Sequence, residues 1–374
     1  MFRVLRVLHN FLSRGYQPLN KIELSSAALK GNYRYLRKLN PNISIAPVLK
    51  SNAYGHGLSQ IASVLDALNP PFFCVDSIFE AYQLDKLKLK TPVLIMGYVD
   101  PQNLKTRKLP FAYAVWDLNQ VEAINRYQTG AGVHIFVDTG MNREGVDLDE
   151  LEGFLREVKE IKGIVVEGLM SHLAQSAKFD LKPREQLQNY QKALKICQKL
   201  GIKPKWRHLA ASGGLMNGFT KGTNMARVGR AIYGIELNDT LHLRGVLSLK
   251  TQIVQIKELK KGSKIGYEGT YIASKDITIA VLPIGYNDGV DRRLSNSGVV
   301  LADNVQCPIL GRISMNITTI DITQVSNPFL GQEVIIYCDD RSKPNSIEES
   351  AKICATLPHD ILVHLASSTR RTII

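Results

Sequence analysis

Between residues ~20 and ~240 one pattern recurs: a short apolar run, a turn, and a segment whose apolar positions follow helical spacing. The apolar runs are Ser44–Leu49, Phe72–Val75, Pro92–Met96, Ala112–Val115, Val133–Val137, Ile164–Met170, Lys205–Ala210 and Met225–Val228. Helical candidates between them include Ser59–Leu68, Ile78–Lys86, Leu118–Arg126, Leu148–Lys159 and Pro183–Leu200. A strand followed by a helix returns beside its predecessor in parallel, and eight such units close a (β/α)8 barrel. A span of about 220 residues fits that closure.

After Leu241 the pattern changes. Leu247–Ile256, Thr270–Ala273, Ile277–Ile284, Val299–Leu301, Pro308–Ile313, Thr318–Ile320 and Glu333–Tyr337 are short, β-branched and separated by Gly, Asn and Asp. This reads as a mostly antiparallel β domain, with helical spacing only at Ile347–Thr356 and Asp360–Ala366. The fold class expected is α/β plus β: an N-terminal (β/α)8 TIM-type barrel followed by a C-terminal β domain. The expected division is a basic extension over 1–15, a barrel over 16–242 and a β domain over 243–374.

Composition excludes several classes. No stretch approaches the ~18–20 uninterrupted apolar residues of a membrane span. The five cysteines are scattered and include no Cys-x-x-Cys pair, which argues for reduced thiols in a cytoplasmic protein and against a zinc site. The net charge of +13 is dispersed along the chain, so it favours anionic ligands in general and does not mark a nucleic-acid surface. In the first fifteen residues Arg3, Arg6 and Arg14 accompany Leu5, Leu8 and Leu12 at helical spacing. A packed or disordered extension is favoured there over a helix lying on a membrane.

A barrel of this kind carries its chemistry just after its strands. The first strand runs into Lys50-Ser-Asn-Ala-Tyr54-Gly-His-Gly57. A desolvated lysine at that place can form a Schiff base with a carbonyl. Tyr54 offers a hydroxyl, and Gly55 and Gly57 let the backbone approach an anion. The later exits read Asp138-Thr-Gly-Met141-Asn-Arg143-Glu-Gly145, Ser171-His172-Leu-Ala, His208-Leu-Ala-Ala-Ser212-Gly213-Gly214 and Ala226-Arg227-Val-Gly229-Arg230. Ser212 with Gly213, and Gly229 with Arg230, suit a phosphate after strands seven and eight. Taken alone, Arg227 reads equally well as a salt-bridge partner, and His172 as an ordinary core or surface histidine.

The string Val48-Leu-Lys50-Ser-Asn-Ala-Tyr54-Gly-His-Gly57 closely resembles the pyridoxal phosphate signature of alanine racemases. Further segments resembling that family follow in family order over about residues 20–370. The resemblance implies a pyridoxal 5'-phosphate enzyme that interconverts L- and D-alanine by a two-base mechanism. Lys50 would hold the cofactor as a Schiff base and exchange the proton on the D-side face. Tyr267, in Gly266-Tyr267-Glu-Gly269-Thr-Tyr271, would serve the L-side face, with Tyr271 as a decoy.

The same resemblance assigns Arg227 to the pyridine nitrogen, where a residue that does not give up its proton weakens the electron sink. It puts His172 beneath the ring, and Tyr54, Ser212, Gly229 and Arg230 around the cofactor. Arg143 and the backbone N–H of Met315 would take the substrate carboxylate, and Tyr286 would line the entrance. Tyr267 would reach in from the partner of a head-to-tail homodimer, and D-alanine would supply peptidoglycan. A barrel-fold amino-acid decarboxylase usually has an acid at the pyridine nitrogen, so Arg227 argues against that alternative. A broader-specificity amino-acid racemase stays open. Two departures stand out: Phe136 occupies the position of a lysine that is carbamylated in many members, and His359 that of a phosphate-binding tyrosine.

Overall fold

The computed structural model describes residues 17–176, 180–235 and 242–374, so the expected basic extension over 1–15 lies outside the described residues. The chain divides into two compact units. One is Ser26–Arg244, and the other is Gly245–Ile374 together with the described residues up to Ser25.

Strand β1 (Lys21–Leu24) belongs to the second unit, which corrects the expected division at its start. β1 was expected inside a barrel running from residue 16. It pairs instead with β10 (Leu247–Gln252) and with the final strand, Arg370–Ile373. Ile22 and Leu24 are fully buried. On the opposite face Lys21 and Glu23 join Lys250 and Glu333 in a ring of four ion pairs of 2.8–2.9 Å.

The barrel is built from β2 (Ser44–Pro47), β3 (Phe73–Val75), β4 (Val93–Ile95), β5 (Phe111–Val115), β6 (Ala131–Phe136), β7 (Ile164–Met170), β8 (Trp206–His208) and β9 (Met225–Val228). All neighbours are parallel in the order β2-β9-β8-β7-β6-β5-β4-β3. A parallel bridge between Val48 and Cys74 brings the two ends together. Every residue of β3, β4 and β5 is buried, as parallel strands covered on both faces require. Ala46, Val48, Phe72, Cys74, Leu94, Ala112 and Met225 form one apolar cluster of this core.

The surrounding helices follow from their patterns. Leu151–Glu160 buries Leu151, Leu155 and Val158, one stripe at i, i+4 and i+7. Ile78–Asp85 starts at a capping box in which the Ser77 hydroxyl accepts from the Glu80 N–H and the Glu80 carboxylate accepts from the Ser77 N–H.

The second unit has a six-stranded sheet, a three-stranded sheet and a two-stranded ribbon. All their pairings are antiparallel except that of β1 with Arg370–Ile373. The expected strand Pro308–Ile313 lies earlier, at Val305–Pro308, and Gly311 then turns the chain with φ 72°.

Candidate active site

Lys50 stands three residues past the end of the first barrel strand, and the chain then does something rare. Ser51, Asn52, Ala53 and Tyr54 all hold φ between 53° and 55°, one left-handed turn built from residues with side chains. Such a turn costs about 1–2 kcal/mol per residue and must be held in place. The Glu80 carboxylate accepts from the Ser51 N–H, the Asn52 side chain accepts from the Leu58 N–H at 2.8 Å, and Gly55 ends the turn at φ 79°. His56 is buried, stacks on Tyr233 at 4.4 Å, and bonds through Nδ1 to the carbonyls of Ala53 and Tyr54. That gives His56 a role in the turn itself, which the sequence did not supply.

The turn brings Lys50 and Tyr54 to the wall of one cavity that Arg143, His172, Ser212, Arg227, Gly229 and Arg230 also line. Arg227 lies in β9 near its end, and the others lie in segments that follow barrel strands. Burial raises the Tyr54 phenol, which stays protonated as a donor, and lowers Arg230. Ser212 Oγ accepts from the Ala231 N–H at 3.3 Å, fixing its hydroxyl over the loop after β9.

Gly229 could not carry a side chain: a Cβ there would lie 2.6 Å from Tyr54 Oη. Gly229→Ala is therefore expected to displace the Tyr54 phenol and weaken anion binding in this cavity about tenfold or more, checked by equilibrium titration with inorganic phosphate.

Arg227 is almost wholly buried and lines the cavity wall. Its NH1 meets His208 Nδ1 at 2.6 Å, and its NH2 donates to the Ser171 carbonyl at 2.5 Å and meets His172 Nδ1 at 3.2 Å. Burial, with Arg227 next, pushes His172 down to about 3, so the ring is neutral and Nδ1 accepts from the guanidinium.

Phe136 packs with Ala114, Met170 and Trp116. Arg143 is gripped on two sides of its fork by the carboxylate of Glu144, through Nε and, at 2.7 Å, through NH2. That hydrogen bond raises the Arg143 pKa. Asp138 accepts from the N–H groups of Gly140, Met141 and Asn142, which shapes the loop carrying Arg143.

Two cavity residues escaped the sequence reading. Glu144 is one. The other is Asp76, whose Oδ1 lies 3.4 Å from Lys50 Nζ. Asp76 follows directly on β3, so the rule that singled out the other strand exits applies to it equally.

Tyr267, Tyr286 and Met315 belong to the second unit, with 69%, 43% and 56% of their surface exposed. Tyr267 opens a short turn in which Glu268 pairs with Arg312 at 2.7 Å. The Tyr286 N–H donates to the Ser314 carbonyl at 3.1 Å and the Asn287 N–H to the Met315 carbonyl at 3.0 Å, so those two segments lie side by side. Tyr271 is partly buried against Ile265, Ala273, Ile277, Ile279 and Leu310. His359 is half-buried beside Pro358 at the start of a short helix. Among the described residues no group of His, Cys, Asp and Glu is arranged to hold a metal ion.

The donor set fits pyridoxal phosphate. An amine, a glycine cradle beside a phenol, a serine hydroxyl and a buried guanidinium converge on one cavity, as an aldehyde, a phosphate and a pyridine nitrogen require.

Comparison with known proteins agrees. Residues 24–237 match the model of the alanine racemase N-terminal domain, and residues 246–373 that of the alanine racemase C-terminal domain. The chain is 32% identical to alanine racemase 2 of Caldanaerobacter subterraneus subsp. tengcongensis, covering 95% of this chain and 94% of that protein. It superposes on alanine racemase of Clostridium difficile 630 with TM-score 0.90 at 25% identity, covering 96% of both chains. The alanine racemase of Bartonella henselae, solved with covalently bound pyridoxal phosphate, shares the fold at TM-score 0.83 and 24% identity, over 96% of this chain and all of that one. This chain belongs to the alanine racemase family.

Proposed function

We propose that the protein interconverts L- and D-alanine with pyridoxal 5'-phosphate held covalently at Lys50. The observation that carries this reading is the convergence of Lys50, Tyr54, Ser212, Arg227 and Gly229 on one cavity in a chain of this family. When bound, the cofactor supplies an electron-withdrawing ring that acidifies the Cα proton of an attached amino acid.

The chain's own residues do the rest. Gly229, Arg230, Ser212 and Tyr54 hold the phosphate. Arg227 would donate to the pyridine nitrogen, and His172 braces the guanidinium. Lys50, once its amine is free, exchanges the proton on the D-side face. Tyr267 of a second copy in a head-to-tail homodimer exchanges it on the L-side face, and the exposure of Tyr267 suits that arrangement. Arg143 and the N–H of Met315 bind the substrate carboxylate, with Tyr286 at the entrance. Such an enzyme works in the cytoplasm and supplies D-alanine to peptidoglycan.

The purified protein with pyridoxal phosphate is expected to racemise alanine from either enantiomer. Release of carbon dioxide from a basic amino acid, without racemisation, would replace this reading with a decarboxylase. Glu144, already paired with Arg143, sets how the guanidinium meets the substrate. Arg143→Ala is expected to raise KM for alanine about a hundredfold, and Glu144→Gln about fivefold with kcat nearly unchanged, in steady-state kinetics.

A further inference from the structure

Arg227 is a buried cation with no acid of its own. Only 3% of it is exposed. Its hydrogen bonds run to the carbonyls of Ser171, His208 and Leu209 and to the imidazoles of His208 and His172. Among the described residues no carboxylate pairs with it directly. An uncompensated charge in a dry core is strongly unfavourable, so an anion must act on it by another route.

The route follows from which atoms can donate. A guanidinium only donates, so His208 Nδ1 is an acceptor and the ring carries its proton on Nε2. That Nε2–H faces Nδ1 of His134 at 2.8 Å, which must accept in turn. His134 therefore carries its own proton on Nε2, which makes no hydrogen bond but faces Oε2 of Glu167 at 3.9 Å, an electrostatic contact. Both rings are fully buried, and burial lowers the pKa of each, so both are neutral as the sequence of donors requires.

The backbone is shaped for this alignment. Strand pairing between β6 and β7 shifts at Val133/His134, from Val133 opposite Val166 to His134 opposite Gly168. Glu167 is thus the extra residue of a bulge, a device that re-aims a side chain. A Cβ on Gly168 would lie 2.3 Å from His134 Nδ1, and one on Gly132 would lie 2.4 Å from Glu167 Oε2.

We propose that Glu167 is the remote counter-ion of Arg227, acting through the neutral imidazoles His134 and His208, and that this relay fixes the guanidinium at the cavity wall. Glu167, His134 and His208 are positioning residues. Their effect on catalysis rests on the reading of Arg227 at the pyridine nitrogen, whereas the relay itself does not.

The test uses the full chain with 15N-labelled histidine, with and without pyridoxal phosphate, and kinetics of the loaded enzyme. His134 and His208 are expected as neutral Nε2–H tautomers from about pH 6 to pH 9 in both forms. Glu167→Gln keeps shape and removes charge. It is expected to lower kcat about tenfold with KM within about twofold, and to raise the loss of activity per turnover. Glu167→Asp should restore most of kcat, and His134→Gln combined with Glu167→Gln should cost little more than either alone.

An Nδ1–H tautomer or a doubly protonated ring would overturn the relay. So would a Glu167→Gln variant that loses thermal stability but keeps kcat, or losses that simply add. Correct tautomers in a protein that binds no pyridoxal phosphate would instead overturn the reading of Arg227 and leave the relay standing.

Discussion

Lys50→Ala is expected to lose both the visible absorption of protein-bound pyridoxal phosphate and at least about 10^4-fold of racemisation. Among the described residues lining the cavity, Lys50 carries the one primary amine. No neighbour can take over the covalent bond, because Arg143, Arg227 and Arg230 stay protonated and His172 is held neutral beside a guanidinium. The side chain is partly exposed, so its removal leaves the barrel core intact. Absorption spectra and a coupled assay check both halves of this result. A band that survives in the alanine variant would remove Lys50 from the chemistry and overturn the cofactor site built around it.

Tyr267→Phe is expected to keep the band and lose roughly 10^3-fold of turnover, the scale of a single proton-transfer group. The substitution removes one hydroxyl from a ring that is 69% exposed, so stability should hardly change. Tyr271→Phe is the control. Tyr271 stands four residues on, partly buried in the cluster around Ile265 and Ile277, and its hydroxyl is expected to matter less than about twofold. Equal losses in the two variants would end the assignment of Tyr267 as the second base. If only Tyr271 mattered, the role would pass to it.

Much of the fold was legible because its strands are apolar runs bounded by polar exits. Phe111–Val115 and Ile164–Met170 are examples. Lys21–Leu24 was not legible. Four residues alternating charge and aliphatic are the shortest stretch that can show a strand's alternation, and they become a strand only against partners more than two hundred residues away. At the site, glycines and charges after strands stood out, and Lys50, Arg143, Ser212 and Arg227 line one cavity. Glu144 was overlooked beside Arg143, and Asp76 because it follows its strand without a glycine or a second charge next to it. The histidine relay was invisible for a different reason. His134 and Glu167 are single polar residues inside apolar runs, and only the shifted pairing of β6 with β7 turns them toward one another.

The left-handed turn from Ser51 to Tyr54 has a consequence for how the protein matures. At about 1–2 kcal/mol per residue, four such residues cannot close on their own in a nascent chain. They need Glu80, which follows the next strand β3, to receive the Ser51 N–H, and Tyr233, which follows the last barrel strand β9, to stack on His56. The reactive amine is therefore presented only after the barrel has closed from its first strand to its last. The geometry at Lys50 is thus a property of the closed barrel and not of the local sequence.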